Sequence, residues 1–276
     1  MKLTYHGTCA AEGWPALFCE CGNCARAKKA GGRNIRTRSQ ADIDGRLLID
    51  FPPDTYMHML YGKLDLSCIK NIFFTHGHED HFYPDDLAMR YNPFAHVYNK
   101  ELLPVHLYGN DRVVRELTRR FENAQQKDIF DIQYIEDFKQ YTVDGYIVTP
   151  LKANHDRSQE SHILIVTDGE KTILYGNDTG YFDDCTWEYL KDSKVRFDFV
   201  SLDTTSGVID CRNGHMGLPT VIEVRDRLVE MGCADGNTRF CLHHFSHNGD
   251  AIYDELVPIA AKEGFMVSYD GMEVEI

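Results

Sequence analysis

The heptapeptide Thr75-His76-Gly77-His78-Glu79-Asp80-His81 constrains this chain more than any other stretch. It follows Ile69-Lys70-Asn71-Ile72-Phe73-Phe74, an apolar, partly β-branched run that reads as a buried strand. Gly77 lets the backbone turn just past the strand end. His76 and His78 can point the same way in an extended segment, whereas the adjacent Asp80 and His81 must point differently. The pattern therefore suits two neighbouring cations. A solvated loop would explain one histidine, but not this density of metal-capable groups beside a hydrophobic strand end.

His76-x-His78-x-Asp80-His81 resembles the signature of the metallo-β-lactamase superfamily. That resemblance implies an α/β chain folded as a four-layer αββα sandwich with a dinuclear metal site. It gives fold and metal rather than substrate, because one fold hosts many chemistries.

The chain has 276 residues, enough for a substantial core. It has no apolar run long enough for a membrane span. Its first residues, Met1-Lys2-Leu3-Thr4-Tyr5-His6-Gly7, lack the apolar centre of an export signal. The expectation is a cytoplasmic protein with no membrane association. Nine cysteines, an odd number, then point to thiols and metal ligands rather than disulfides. The net charge of −14 disfavours long nucleic acid as a substrate. Arg26, Lys28, Lys29, Arg33, Arg36 and Arg38 form a basic cluster that reads first as a solvated face, and second as a rim attracting a small anion. A homodimer accords with the sequence, which carries no feature specifying it.

Cys19-Glu20-Cys21-Gly22-Asn23-Cys24 is a compact thiolate set, and structural zinc commonly takes three cysteines and one histidine. Asp44-Gly45 between Ala41–Ile43 and Arg46–Asp50 is a hairpin signal. A short helix is expected from Asp54 through Tyr61, with His58 a surface or packing residue, and another from Pro84-Asp85-Asp86 to about Tyr91. Gly109-Asn110-Asp111 caps a helix spanning Arg112 to Glu122. His96 and His106 lie among apolar residues and read as packing. His155 follows the strand Tyr146–Leu151, in the same context as His76. Strands His162–Thr167 and Lys171–Tyr175 form a hairpin leading into Gly176-Asn177-Asp178-Thr179-Gly180. A carboxylate there can bridge two cations; an Asx-turn is the alternative. Beyond a strand at Phe197–Leu202, helices are expected from Leu218 to about Met231 and from Ala251 to Glu263, with a terminal strand pair around Asp270-Gly271. The order reads as one domain over residues 1–276, built from two αβ halves, with a structural-zinc loop near 19–24.

Within the superfamily the chain resembles the PhnP-type phosphodiesterases of the carbon–phosphorus lyase pathway, which hydrolyse a cyclic phosphodiester of ribose. The resemblance rests on Cys19-x-Cys21-x-x-Cys24, on His244-Phe245-Ser246-His247, and on Tyr269-Asp270-Gly271-Met272-Glu273-Val274. It implies that His76, His78 and His155 hold one divalent metal, that Asp80, His81 and His244 hold the other, and that Asp178 bridges them. It also implies a structural zinc on Cys19, Cys21, Cys24 and His247, and a phosphate-facing, catalytic His215. The active pair would be zinc or manganese, with Asp80 among the catalytic residues. The segment from Tyr91 to Ile135 is more elaborate than the resemblance leads one to expect.

The expected activity is hydrolysis of a small, cyclic anionic phosphodiester by a hydroxide activated between two cations. Other hydrolases of the fold, acting on nucleic acids, thioesters or lactones, are alternatives, as is a PqqB-like cofactor-handling protein. PqqB-like relatives share the cysteine motif, and there a gap in the dinuclear ligand set is expected.

Overall fold

The computed structural model describes residues 1–121 and 128–276. Two seven-stranded sheets pack face to face. The first runs β14 (Met272–Glu275), β1 (Lys2–Gly7), β2 (Gln40–Ile43), β3 (Leu47–Ile49), β4 (Asn71–Phe73), β5 (Val105–Gly109) and β6 (Phe130–Tyr134). The second runs β13 (Phe265–Val267), β12 (Arg239–His243), β11 (Phe199–Asp203), β10 (Thr172–Gly176), β9 (His162–Thr167), β8 (Tyr146–Lys152) and β7 (Tyr141–Val143).

Alternation along the strands explains the layers. Leu47 and Ile49 of β3 point into the space between the sheets with Tyr5, Phe73, Val166 and Tyr175. Leu48, between them in sequence, points outward to meet Ile72, Phe74 and Leu107. That outer face is covered by α3 (Asp111–Phe121) through Val113, Leu117 and Phe121, and α2 (Thr55–Tyr61) follows β3 in the chain. The outer face of the second sheet is covered by α1 (Gly22–Ala30), α4 (Asp184–Ser193), α5 (Leu218–Glu230) and α6 (Tyr253–Lys262), with Trp187, Val224 and Leu256 among the buried contacts. The result is the expected αββα arrangement. Among the described residues no helix is long and apolar enough to cross a membrane.

The hairpin at Asp44-Gly45 forms, with both residues at positive φ (54° and 66°) and Ala41 opposite Ile49. Asn110 caps α3 by accepting from the Val113 amide at 2.9 Å. The expected end of that helix, Glu122, lies outside the described residues.

Other expectations need correction. The segment after Pro84 forms only a short 3-10 turn, Asp86–Arg90. The strands flanking Asp270-Gly271 do not pair with each other: β13 joins β12 in one sheet and β14 joins β1 in the other, so the turn crosses between layers. Helix α4 was not anticipated. Of the two readings of His58, surface or packing, the packing one holds: it is buried, held by Gln40 Oε1 at 2.6 Å and Thr37 Oγ1 at 2.7 Å, with burial lowering its pKa to about 3. The basic cluster is neither a rim nor one face. Arg36 is buried, stacked 4.1 Å over Phe245 and donating to Thr8 Oγ1 and the Ser268 carbonyl, while Arg26 pairs with Glu255 and Arg38 with Asp54.

The end of β1 fits only glycine. A Cβ on Gly7 would stand 1.9 Å from the Arg38 carbonyl oxygen and 2.9 Å from His58 Nε2. Gly7→Ala is expected to lower stability by about 2 kcal/mol or more, read as a drop in melting temperature. Gly236→Ala, which meets nothing within 4 Å, should leave it unchanged.

Candidate metal centre

Strands of both sheets deliver their C-terminal ends to one edge of the sandwich. His76, His78, Asp80 and His81 follow β4, His155 follows β8, Asp178 follows β10, and His244 follows β12. Crevices outside the carboxyl ends of strands are the usual ligand sites of α/β sheets.

The structure brings these residues together as two touching clusters. His76, His78 and His155 offer ligand atoms all within 4.8 Å of one another, and so do Asp80, His81, Asp178 and His244. His78 Nδ1 lies 2.8 Å from His76 Nε2 and 3.2 Å from His155 Nε2. Asp178 sits between the groups: its Oδ2 is 2.5 Å from His81 Nε2 and 3.8 Å from His76 Nε2, and its Oδ1 is 3.2 Å from His244 Nε2. Asp80 Oδ2 is 3.1 Å from His81 Nε2. His215 joins from the side, its Nδ1 3.5 Å from Asp178 Oδ1.

The residues fit divalent cations. His81 Nε2, His244 Nε2 and Asp178 Oδ2 are buried yet make no hydrogen bond, although they crowd together. Buried polar atoms in folded proteins are almost always satisfied, so lone pairs converging without partners mark a place for a cation.

The remaining ring nitrogens strengthen this reading. On each of the five histidines, the nitrogen facing away from the cluster has an acceptor. His76 Nδ1 meets Thr75 Oγ1 at 3.1 Å, His78 Nε2 meets Asp156 Oδ2 at 3.1 Å, and His155 Nδ1 meets the Gly214 carbonyl at 2.9 Å. His81 Nδ1 meets Asp50 Oδ2 at 2.7 Å, and His244 Nδ1 meets Thr205 Oγ1 at 2.8 Å. Such partners fix the tautomer and aim the free nitrogen, as in metal sites. Asp50 joins both clusters: it accepts from His81 and also from the Thr75 amide (2.8 Å) and hydroxyl (3.0 Å), and that hydroxyl in turn faces His76.

Electrostatics follow from burial and crowding. Burial alone would raise the Asp178 pKa, but His244 and His81 outweigh it and hold the carboxyl well below its usual range. Burial opposes charge on His81, yet Asp178, Asp80 and Asp50 raise its pKa well above normal. Burial pushes His76 well below normal, with His81 adding to the effect. Burial likewise opposes charge on His215, but Asp203, 2.9 Å from its Nδ1, prevails and raises its pKa to about 9.

The second predicted site also assembles. Cys19, Cys21, Cys24 and His247 offer atoms within 4.8 Å of one another, with His247 Nδ1 3.3 Å from Cys21 Sγ and 3.7 Å from Cys19 Sγ. Cys21 caps α1 by accepting from the Cys24 amide, and that bond above all lowers its pKa to about 6. Burial raises Cys24 to about 12, a cost that a bound cation would offset. Three thiols on one tight turn and the His247 imidazole from the segment after β12 match a structural zinc donor set.

Residues 46–245 match the β-lactamase superfamily domain, more than half of the chain. The chain belongs to the metallo-β-lactamase superfamily. The matched region includes every residue of the histidine–aspartate clusters but none of the cysteine site. A diphosphatase of the PhnP family has a similar structure, with a TM-score of 0.75 at 20% identity over 100% of this chain and 96% of that one. Zn2+-bound PqqB from Methylobacterium extorquens gives 0.68 at 19% identity, covering 100% of both chains. The short form of human tRNase Z gives 0.64 at 16% identity, over 100% of this chain and 99% of that one. At these identities the likeness is one of fold. No curated protein matches the sequence.

His96 and His106 stay outside both clusters, and His106 pairs with Asp131 at 2.8 Å. Sequence reasoning missed Asp50, Asp156, Asp203 and Thr205. The available signal was position: Asp50 and Asp203 end strands on the edge that carries the histidines, as His76 and Asp178 follow theirs.

Two outcomes follow. Asp50→Ala should lower metal affinity about 10–100-fold, measured by competition with a chromogenic chelator; unchanged affinity would contradict the anchoring role. Cys21→Ser should release one zinc per chain relative to wild type, counted by elemental analysis. Equal counts would contradict the cysteine site.

Proposed function

We propose that this metallo-hydrolase cleaves a small, cyclic phosphodiester at the cluster around Asp178. His76, His78 and His155 would hold one divalent cation, zinc or manganese, Asp80, His81 and His244 a second, and Asp178 would lie between them. Bound there, the pair supplies Lewis acidity and a water made nucleophilic near neutral pH. The chain's own part is to hold five imidazoles in fixed tautomers, to keep Asp178 ionised and buried, and to present His215 beside it. His215 is partly open to solvent, with 32% side-chain exposure. Its Nδ1 is taken by Asp203, which leaves Nε2 free for substrate. In the hydrolysis, water oxygen bonds to phosphorus, the ester P–O bond breaks, and the leaving oxygen takes a proton. His215 Nε2–H either orients a phosphoryl oxygen or donates that proton.

The observation that carries the reading is the complete ligand set around Asp178 with His215 adjoining it. The likeness to a PhnP-family diphosphatase supports hydrolysis at phosphorus. The filled ligand positions weigh against a PqqB-like cofactor-handling role, and the formal charge of −14 weighs against a long nucleic acid.

Initial rates on bis-p-nitrophenyl phosphate, a ribose cyclic phosphate and a 2′,3′-cyclic nucleotide, with a thioester as control, test the proposal. Turnover of the cyclic phosphates, lowered by several powers of ten in His76→Ala, is expected. Thioester cleavage without phosphodiester cleavage would overturn it. His215→Ala should slow the ribose cyclic phosphate, with its poor alkoxide leaving group, about 100-fold or more, and bis-p-nitrophenyl phosphate much less. Equal losses on both would assign His215 to phosphate orientation instead of proton donation.

A further inference from the structure

A large cavity lies away from the histidine cluster. It has a volume of ≈ 1120 Å³ and lies on the outer side of the first sheet, beneath the segment 83–102. Its floor is the sheet's outer face, Ile72, Val105 and Phe130, and its walls include Phe51, Met59 and Leu102. Protein interiors are close-packed, with few voids larger than a water molecule. A cavity of this size, lined mainly by apolar and aromatic groups, is of the kind that takes a small organic ligand.

The segment that roofs it packs loosely. Between Tyr83 and Leu102 the only apolar side chain counted as buried is Leu87, while Met89, Phe94 and Tyr98 line the cavity and are also exposed, Tyr98 at 89%. Apolar side chains that face both a void and solvent mark an entrance.

The cavity also holds a cation that has no ion-pair partner among the described residues. Arg90 lines it; among the described residues its Nε is buried without a hydrogen-bond partner, and its Nη2 makes only a long contact of 3.4 Å to the Leu102 carbonyl. Asp86, four residues earlier, lines the same cavity without offsetting the effect of burial on Arg90. Burial lowers the Arg90 pKa, the direction expected of a guanidinium deprived of water and counter-ion. A guanidinium stays charged under ordinary conditions and presents a fork that matches carboxylate or phosphate.

We propose that this cavity is a second ligand site, which takes a single-chain amphiphile: an apolar body against Ile72, Val105 and Phe130, and one anionic head group on Arg90. The site backs onto the metal loop. Phe51 and Tyr83 both line it; the Phe51 amide donates to the His81 carbonyl at 2.7 Å, the Tyr83 amide donates to the Phe51 carbonyl at 2.8 Å, and Asp50 precedes Phe51 directly. The occupant therefore rests against the chain that anchors His81 without reaching the histidine cluster. This site stands independently of the phosphodiesterase reading, since its binding is read without turnover.

The test is isothermal titration calorimetry of the full chain with laurate, dodecyl phosphate and the neutral dodecanol, all below their aggregation limits. One saturable site per chain for at least one anion, binding more tightly than dodecanol, is expected. Laurate and dodecyl phosphate together distinguish a carboxylate from a phosphate head. Arg90→Gln should weaken binding about tenfold or more, Arg90→Lys should retain much of it, and Val105→Trp should abolish it by filling the floor. His76→Ala should bind as wild type does. No saturable binding, dodecanol binding as tightly as the anions, or loss in His76→Ala with Arg90→Gln unaffected would each overturn the proposal. Thermal melts establish that each variant is folded, and the anion-to-dodecanol comparison on wild type decides the matter if Arg90→Gln and Val105→Trp do not fold.

Discussion

Asp178 is a carboxylate with 4% side-chain exposure, set among His76, His81 and His244 at a left-handed backbone position (φ 51°). Burying a charge costs several kcal/mol unless it is closely matched by other charges or hydrogen bonds. Much of the architecture at this edge serves that match. Strands β4, β8, β10 and β12 end together, the side chains after them converge from both sheets, and each imidazole is tied back by its second nitrogen. Without cations the cluster leaves buried polar atoms facing one another unsatisfied; with them the same crowding would become coordination.

Asp50 and Asp203 play parallel parts on the two sheets. Asp50 ties His81 and Thr75 to the end of β3, and Asp203 ties His215, Thr205 and the Met216 amide to the end of β11. Both are fully buried. The site is thus held from rigid strand ends rather than from loops, which favours fixed geometry over adaptability. The cysteine cluster adds a brace: His247 lies three residues after His244, so a zinc on Cys19, Cys21, Cys24 and His247 would restrain the segment that presents His244.

Much of this was legible in the sequence because it is local. The spacing of His76, His78, Asp80 and His81 after an apolar run, and the glycines around Asp178, report chemistry within a few residues. The αββα arrangement and the distant members, His155, His244 and His247, came through family resemblance, since no local pattern states which strand ends meet. The role of Asp50 is hidden for the same reason: an aspartate before Phe51-Pro52-Pro53 shows a strand end, and only the fold sets it 2.7 Å from His81. The turn at Asp270-Gly271 looked like a hairpin because sequence shows its two flanking strands but not that they join different sheets. Arg36 counted as a surface charge until packing placed it over Phe245.

The central claim is that the clusters on either side of Asp178 hold two cations. Crystals grown with zinc and measured for anomalous scattering on both sides of the zinc edge test it most directly. The account requires one peak among His76, His78 and His155, a second among Asp80, His81 and His244, and an Asp178 carboxylate directed at both. A single peak, or zinc bound only at the cysteines, would contradict it.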